Sequence, residues 1–188
     1  THHTPVVLVD GQRGDKMQGW VVHEESFVYG LEDWYRRHRL PAGAYVKLAR
    51  TRDPRVITID YAPQSLKRLW IPIAAVHDGE IAVQTRKVPV ASEYEVHLII
   101  GEDDPAALDA LLAKKDAQGT TLLEIMHDVF PHLAKLSPQG TVHAKTIYSA
   151  VKVWRRVPPG PVFALLSTEP QVVSMGGGFW TIDGASTE

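Results

Sequence analysis

The spacing of apolar residues changes once along this chain, near residue 101. Before that point, apolar and polar positions alternate in short runs, as in GAYVKLART (43–51) and RVITIDYA (55–62). After it, apolar residues recur every three or four positions, as in TLLEIMHDVFPHLAKL (121–136), which is the spacing of one helix face. The pattern predicts a β-rich first part and a mainly helical second part.

Turn residues divide the first part into strands. Asp10-Gly11 follows the run PVVLVD, Asp53-Pro54 joins two strands, and Asp78-Gly79 is a two-residue turn between two longer ones. YEVHLIIG (94–101) is predicted to be the last strand of this part. One helix is expected, in GLEDWYRRHRLP (30–41), where Pro41 stops it.

Capping residues place the helices of the second part. Asp104 and Pro105 suit a helix N-terminus, and Gly119 ends that helix. A second helix is predicted over Thr121–Lys135, with Pro131 expected to kink or split it. A third covers HAKTIYSAVKVWRRV (143–157), and a short fourth runs over Pro161–Thr168.

Three glycines lie between two apolar runs in VVSMGGGFWTID (172–183). A phosphate-binding loop would need a Lys-Ser/Thr pair that opens a helix, and here Phe179-Trp180 open a strand. The glycines therefore predict the turn of a β-hairpin, because they supply positive φ. Trp154 and Trp180 each lie on an apolar face and are expected to meet in the core.

Three short helices followed by a β-ribbon are the order of a winged helix-turn-helix. The predicted fold class is α+β, with an N-terminal β-rich, barrel-like domain followed by a C-terminal winged helix-turn-helix domain. The predicted limits are residues 5–100 for the β-rich basic domain, 101–119 for a helical connector and 120–183 for the winged helix.

The segments TLLEIMHDVF, VHAKTIYSAV and PGPVFALLSTEPQVVSMGGGFWTID carry a more specific resemblance. Over residues 120–183 the chain resembles winged helices of the HARE-HTH type, which implies a DNA-linked or transcription-linked protein and often an accessory or interaction module. GLEDWYRRHRLPAGAYVKLARTRDPRVITID (30–60) resembles, as a pattern, the B3-like β-pseudobarrels that bind DNA.

Composition and charge exclude some classes of protein and favour one kind of partner. The chain has no cysteine, which excludes disulfides and thiolate catalysis, and no apolar run long enough to span a bilayer. A cytoplasmic location is expected. The first methionine is Met17, so we expect a fragment of a longer protein. The net charge is only −2, yet the segment from Arg36 to Arg68 contains nine Lys or Arg residues and only two acidic residues. Such a local excess favours an anionic partner.

Sequence motifs for catalysis are absent. There is no GxSxG elbow and no HExxH, and no two histidines outside the N-terminal pair are three or four residues apart. We therefore expect a non-enzymatic protein without a metal or cofactor. The five tryptophans are expected in the core, although Trp70, beside Lys67 and Arg68, could instead stack on bases.

Two functions are weighed first, with an unidentified enzyme domain as a third alternative, because absent motifs do not exclude activity. The first is a nucleic-acid-binding module, with duplex DNA as the expected ligand. The second is a protein–protein interaction module that docks a partner through the winged helix. The predicted recognition helix, Pro161–Thr168, has no Lys, Arg, Asn or Gln, the side chains that read base edges most often. Affinity for nucleic acid is therefore assigned to basic residues elsewhere: Arg36, Arg37, Arg39, Lys47, Arg50, Arg52, Arg55, Lys145, Lys152, Arg155 and Arg156.

Overall fold

The computed structural model describes residues 2–24, 27–117 and 119–182. Asp183, the last residue of the predicted winged-helix segment, lies outside the described residues. Within them the fold is mixed α+β, with eleven strands and five helices. No helix in these ranges is long and apolar enough to cross a bilayer.

The chain packs into two compact units. The first takes the described residues up to Arg68 together with Pro89–Glu95, and the second takes Leu69–Val88 and the described residues from Val96 onward. These limits differ from the predicted 5–100, 101–119 and 120–183. The physical reason is that Ala74, Ile81, Val83 and Ile100 are buried in the same hydrophobic core as the later helices.

The first unit contains a five-stranded sheet and one helix. Its elements are β1 (His3–Asp10), β2 (Lys16–Val22), β3 (Phe27–Tyr29), α1 (Glu32–His38), β4 (Val46–Arg50) and β5 (Val56–Tyr61). The strand order is β3-β2-β1-β5-β4. β1 and β5 are parallel, and the other neighbours are antiparallel.

One face of this sheet forms the core of the first unit. Trp34 of α1 is fully buried and packs with Val6, Leu8 and Ile59. Successive residues of a strand point to opposite faces. The residues that alternate with the buried ones, such as Val7 of β1, therefore point to the opposite face, which we call the outer face.

Two long strands contribute to both units: β6 (Pro63–His77) and β7 (Glu80–Ser92). The predicted Asp78-Gly79 turn between them is confirmed. Asp78 has φ 52° and Gly79 has φ 79°, the positive values that a type I′ turn requires. A short strand, β8 (Gly101–Glu102), pairs in parallel with β6.

The helices of the second unit are α2 (Pro105–Ala117), α3 (Leu122–Lys135), α4 (Ala144–Trp154) and α5 (Pro159–Thr168). The carboxylate of Asp104 accepts a hydrogen bond from the Ala107 amide at 3.0 Å, as predicted for an N-cap. Thr121 and Glu124 form a reciprocal capping box at the start of α3. Pro131 does not split α3, which continues to Lys135. α5 begins at Pro159, two residues before the predicted start.

The glycine-rich segment is the turn of a hairpin, as predicted. β10 (Val172–Gly176) pairs antiparallel with β11 (Phe179–Ile182), and β11 pairs with β9 (Val142–His143). Gly176, Gly177 and Gly178 have φ values of 82°, 60° and 83°. Residues with a side chain rarely adopt these values, so glycine is strongly favoured at this turn.

The predicted strand over 94–101 is wrong. Residues 96–98 form a turn, and only Gly101 continues into a strand, β8. The backbone carbonyls of this segment are satisfied by side chains of α4 instead of by a neighbouring strand. Thr146 Oγ1 donates to the His97 carbonyl at 2.9 Å, and Ser149 Oγ donates to the Leu98 carbonyl at 2.6 Å.

The tryptophans do not all lie in the core. Trp34 and Trp154 are buried, and Trp180 is half-buried and packs against the same core as Trp154. The expectation of a core position is wrong for Trp20, which is half-buried on the outer face of the first sheet, and for Trp70, which is 67% exposed. Its neighbour on β6, Ile71, takes the buried position, and alternation along the strand turns the indole outward.

Candidate functional site

Four of the predicted basic residues lie on the β4–β5 hairpin. Lys47 and Arg50 belong to β4, an edge strand, and Arg52 and Arg55 belong to the turn that follows it. All four are exposed, and none of their side chains makes a hydrogen bond or ion pair with the described residues. We call these four residues the basic hairpin.

The turn of the basic hairpin is held by its own polar groups. Asp53 Oδ1 accepts a hydrogen bond from the Arg55 amide at 2.9 Å, and Thr51 Oγ1 donates to the Asp53 carbonyl at 2.9 Å. The acid of the turn therefore fixes the backbone, and it forms no ion pair with the neighbouring arginines. This geometry presents the four cations to solvent.

The predicted arginines of α1 have acidic partners. Arg36 Nη2 lies 2.6 Å from Glu32 Oε1, one helical turn away, and Arg37 Nη1 lies 2.7 Å from Asp15 Oδ2. Arg39 ends the helix in the left-handed conformation, with φ 52°. Since two of these three charges are compensated within the unit, α1 contributes less free positive charge than the sequence suggested.

The predicted cations of α4 and of the two residues that follow it do not form one surface cluster of free charges. Arg155 donates to the Thr120 carbonyl at 2.6 Å, so its guanidinium is used in the fold. Lys152 lies 5.9 Å from the ring centre of Tyr148, and burial, followed by repulsion from Arg156, lowers the pKa of Lys152. Lys145 is exposed near the start of the helix.

α5, the predicted recognition helix, presents an uncharged face. Val162 and Leu166 are buried, while Phe163 is exposed. The two hydroxyls bond back along the helix: Ser167 Oγ donates to the Phe163 carbonyl and Thr168 Oγ1 to the Ala164 carbonyl, each at 2.9 Å. Their protons are therefore not directed at a ligand, and the helix offers no charged donor to base edges.

Two histidines far apart in sequence meet in the second unit. The rings of His97 and His143 stack with centroids 3.9 Å apart, and Phe179 meets both of them edge-on. His143 also caps α4, where its Nδ1 accepts from the Lys145 amide at 3.2 Å. Sequence patterns missed this cluster because nothing local connects residues 97, 143 and 179.

The histidine cluster borders a shallow groove of about 230 Å³ whose other lining includes Pro72, Leu133 and Leu136. The two rings are parallel, within 9°, so their in-plane nitrogen lone pairs do not converge on one point. Within the described residues, no group of three or more His, Asp or Glu side chains could hold a metal ion.

A buried hydrogen bond between His38 and Asp10 fastens α1 to β1 in the first unit. His38 Nε2 lies 2.7 Å from Asp10 Oδ2, and the Asp10 side chain is fully buried. Burial raises the pKa of Asp10, but hydrogen bonds from His38 and the Gln12 amide, with the nearby Trp34 indole, outweigh burial and hold that pKa below its usual value. Trp34 Nε1 has no partner in hydrogen-bonding geometry among the described residues.

Comparison with known proteins gives no match: no protein-family model, no curated protein and no solved structure is similar to this chain.

Proposed function

We propose that this chain is a non-enzymatic, transcription-associated module that binds nucleic acid, with DNA as its expected ligand. The observation that carries the proposal is the basic hairpin: four exposed cations, Lys47, Arg50, Arg52 and Arg55, that form no ion pair with the described residues. Arginine forks pair well with phosphate oxygens, and phosphate contacts give affinity without reading sequence.

The second unit supports a winged-helix assignment as part of this proposal. From residue 122 its elements follow the order α3, β9, α4, α5, β10, β11, with the three strands in one sheet. Winged helices have this order, with the last two strands as the wing. The neutral face of α5 favours contact with something other than base edges.

The proposal predicts a specific dependence on salt. Each phosphate contact that is lost should flatten the slope of log affinity against log salt by about one unit and weaken all sequences alike. Arg50→Gln and Arg52→Gln should therefore weaken binding of random duplex DNA and flatten the slope. Ser167→Ala with Thr168→Ala serves as the matched control and should leave both unchanged.

The result that would refute the proposal is binding lost in the Ser167/Thr168 variant alone, or no binding by the wild type at low salt. A second candidate, docking of a protein partner, is favoured by one observation: α5 exposes Phe163 while its hydroxyls bond to its own backbone. Phe163→Ala would then abolish association with that partner and leave the salt-dependent binding of DNA unchanged.

A further inference from the structure

We infer that the outer face of the sheet in the first unit binds single-stranded nucleic acid by stacking bases on Trp20 and Tyr29. The inference rests on the proposed function, because the two turn arginines of the basic hairpin, Arg52 and Arg55, would hold the phosphates of the same strand. It adds two points to the proposed function. The ligand has unpaired bases, and the surface that binds them is one that the distribution of basic residues did not indicate.

The register of the strands brings three aromatic side chains to this face. Trp20 of β2 is the cross-strand partner of Tyr29 of β3, and Val22 is the partner of Phe27. The rings of Trp20 and Tyr29 have centroids 5.7 Å apart. Tyr29 is 56% exposed and Phe27 is 46% exposed. Large rings on a sheet face that no helix of the unit covers form a platform on which planar bases can stack.

A shallow depression of about 260 Å³ lies on this platform, lined by His3, Trp20, Val22 and Tyr29. Among the described residues, no carboxylate lines it. The aromatic walls favour a planar, apolar ring as the occupant. Lys16, four residues before Trp20 on β2, lies on the same face and is exposed.

The basic hairpin lies at the same end of the sheet as these rings. The Val7 amide donates to the Arg55 carbonyl at 2.7 Å, which ties the turn to β1. Two residues earlier on β1, Pro5 is the cross-strand partner of Trp20. Since neighbouring strands are about 4.8 Å apart, the turn is separated from the Trp20 row by roughly two strand spacings, about 10 Å.

This arrangement favours a single strand over a duplex. In a duplex, the flat faces of the bases are stacked on one another and cannot reach an aromatic platform. An unpaired strand can place bases on Trp20 and Tyr29 while its phosphates pass the arginines of the turn. Positive charge beside exposed rings therefore matches the chemistry of single-stranded nucleic acid.

The test compares two labelled ligands on the full chain by fluorescence anisotropy: a thymidine strand of about twelve nucleotides and a random duplex of similar length. Tyr29→Ala should weaken binding of the thymidine strand about tenfold and leave duplex binding within about twofold. Its salt slope should stay unchanged, because a ring releases no counterions. Tyr29→Phe should keep wild-type affinity, and Trp70→Ala, which removes an exposed ring of the second unit, should have no effect.

Trp20→Leu provides a second variant, and thermal unfolding of each variant shows whether the fold is kept. If Tyr29→Ala and Trp20→Leu both bind the thymidine strand normally while Arg50→Gln with Arg52→Gln does not, the inference fails and the proposed function stands. If the wild type binds neither ligand at low salt, both fail. If the wild type is a dimer, the Tyr29→Ala variant is a monomer and strand binding is unchanged, the outer face joins two copies of the chain. That result would overturn the inference.

Discussion

Gly178 lies against the imidazole of His143 so closely that a Cβ on this glycine would be 2.8 Å from Nε2 of the ring. The Gly178 carbonyl accepts from the Ala144 amide at 2.8 Å, so the turn of the last hairpin is also bonded to the start of α4. The third glycine of the triplet therefore has a packing role as well as a conformational one.

Gly178→Ala should destabilise the protein by about 1–3 kcal/mol, because it combines an unfavourable φ with a collision at His143. Gly177→Ala is the matched control: its φ is also positive, but the nearest atom to its Cβ would be 3.8 Å away, on Phe179. The free energy of unfolding in urea measures both. Equal losses in the two variants would show that backbone conformation alone requires these glycines.

Asp10 predicts an acid-dependent loss of stability. The pKa of Asp10 is lower in the folded protein than in the unfolded chain. The contribution of Asp10 to the free energy of unfolding is therefore fully present above the unfolded pKa, and it is lost as the pH falls through the folded pKa. Asp10→Asn should cost about 1.5–3 kcal/mol at neutral pH, and less as the solution is acidified.

Asp15→Asn controls for this experiment, because Asp15 pairs with Arg37 in an exposed ion pair. Such pairs contribute about 0–1 kcal/mol. Urea unfolding between neutral and acid pH measures the difference. If the Asp10→Asn variant keeps the full wild-type dependence on pH, the buried pair with His38 is not its source.

Trp154→Ala should destabilise by about 3–5 kcal/mol, since the indole is only 3% exposed in the core of the second unit. Trp70→Ala removes the same side chain from an exposed position and should change stability by less than about 0.5 kcal/mol. Chemical unfolding of both variants gives the comparison. A near-neutral Trp154→Ala would contradict the packing of α4.

Ser149→Ala tests the segment whose structure differs from the sequence prediction. Loss of the hydroxyl leaves the half-buried Leu98 carbonyl without its donor, which should cost about 0.5–1.5 kcal/mol. Ser167→Ala removes an exposed hydroxyl that bonds only along its own helix, and it should be nearly neutral. Hydrogen exchange of the amides around residue 98 should rise in the first variant and not in the second.

These elements show what the sequence could predict. Turns and caps, such as Asp78-Gly79 and Asp104, were correct because the residues that determine them are adjacent in the chain. The segment 94–101 was not, because a run such as VHLII is compatible both with a strand and with an exposed turn followed by two buried residues. What decides between them is a pair of hydroxyls about fifty residues later, on α4.

The candidate site likewise has some features that the sequence could predict and others that it could not. The cluster of arginines was visible in the composition, but the neutralisation of Arg37 by Asp15, across twenty-two residues, was not. The pairing of Trp20 with Tyr29 and the stacking of His97 on His143 both depend on tertiary arrangement. Exposure of Trp70 followed from alternation on β6 once the buried face of that strand was known.

The long β6–β7 hairpin also bears on how the protein is made. Ala74, Ile81 and Val83 leave the ribosome well before α3, α4 and α5, yet they are buried in one core with those helices. Until residues near Val172 have been synthesised, the nascent chain must carry these side chains without their partners. Closing such long-range contacts slows folding. The second unit therefore completes late, and a chain cut after residue 100 would display an unfilled apolar surface to chaperones and proteases.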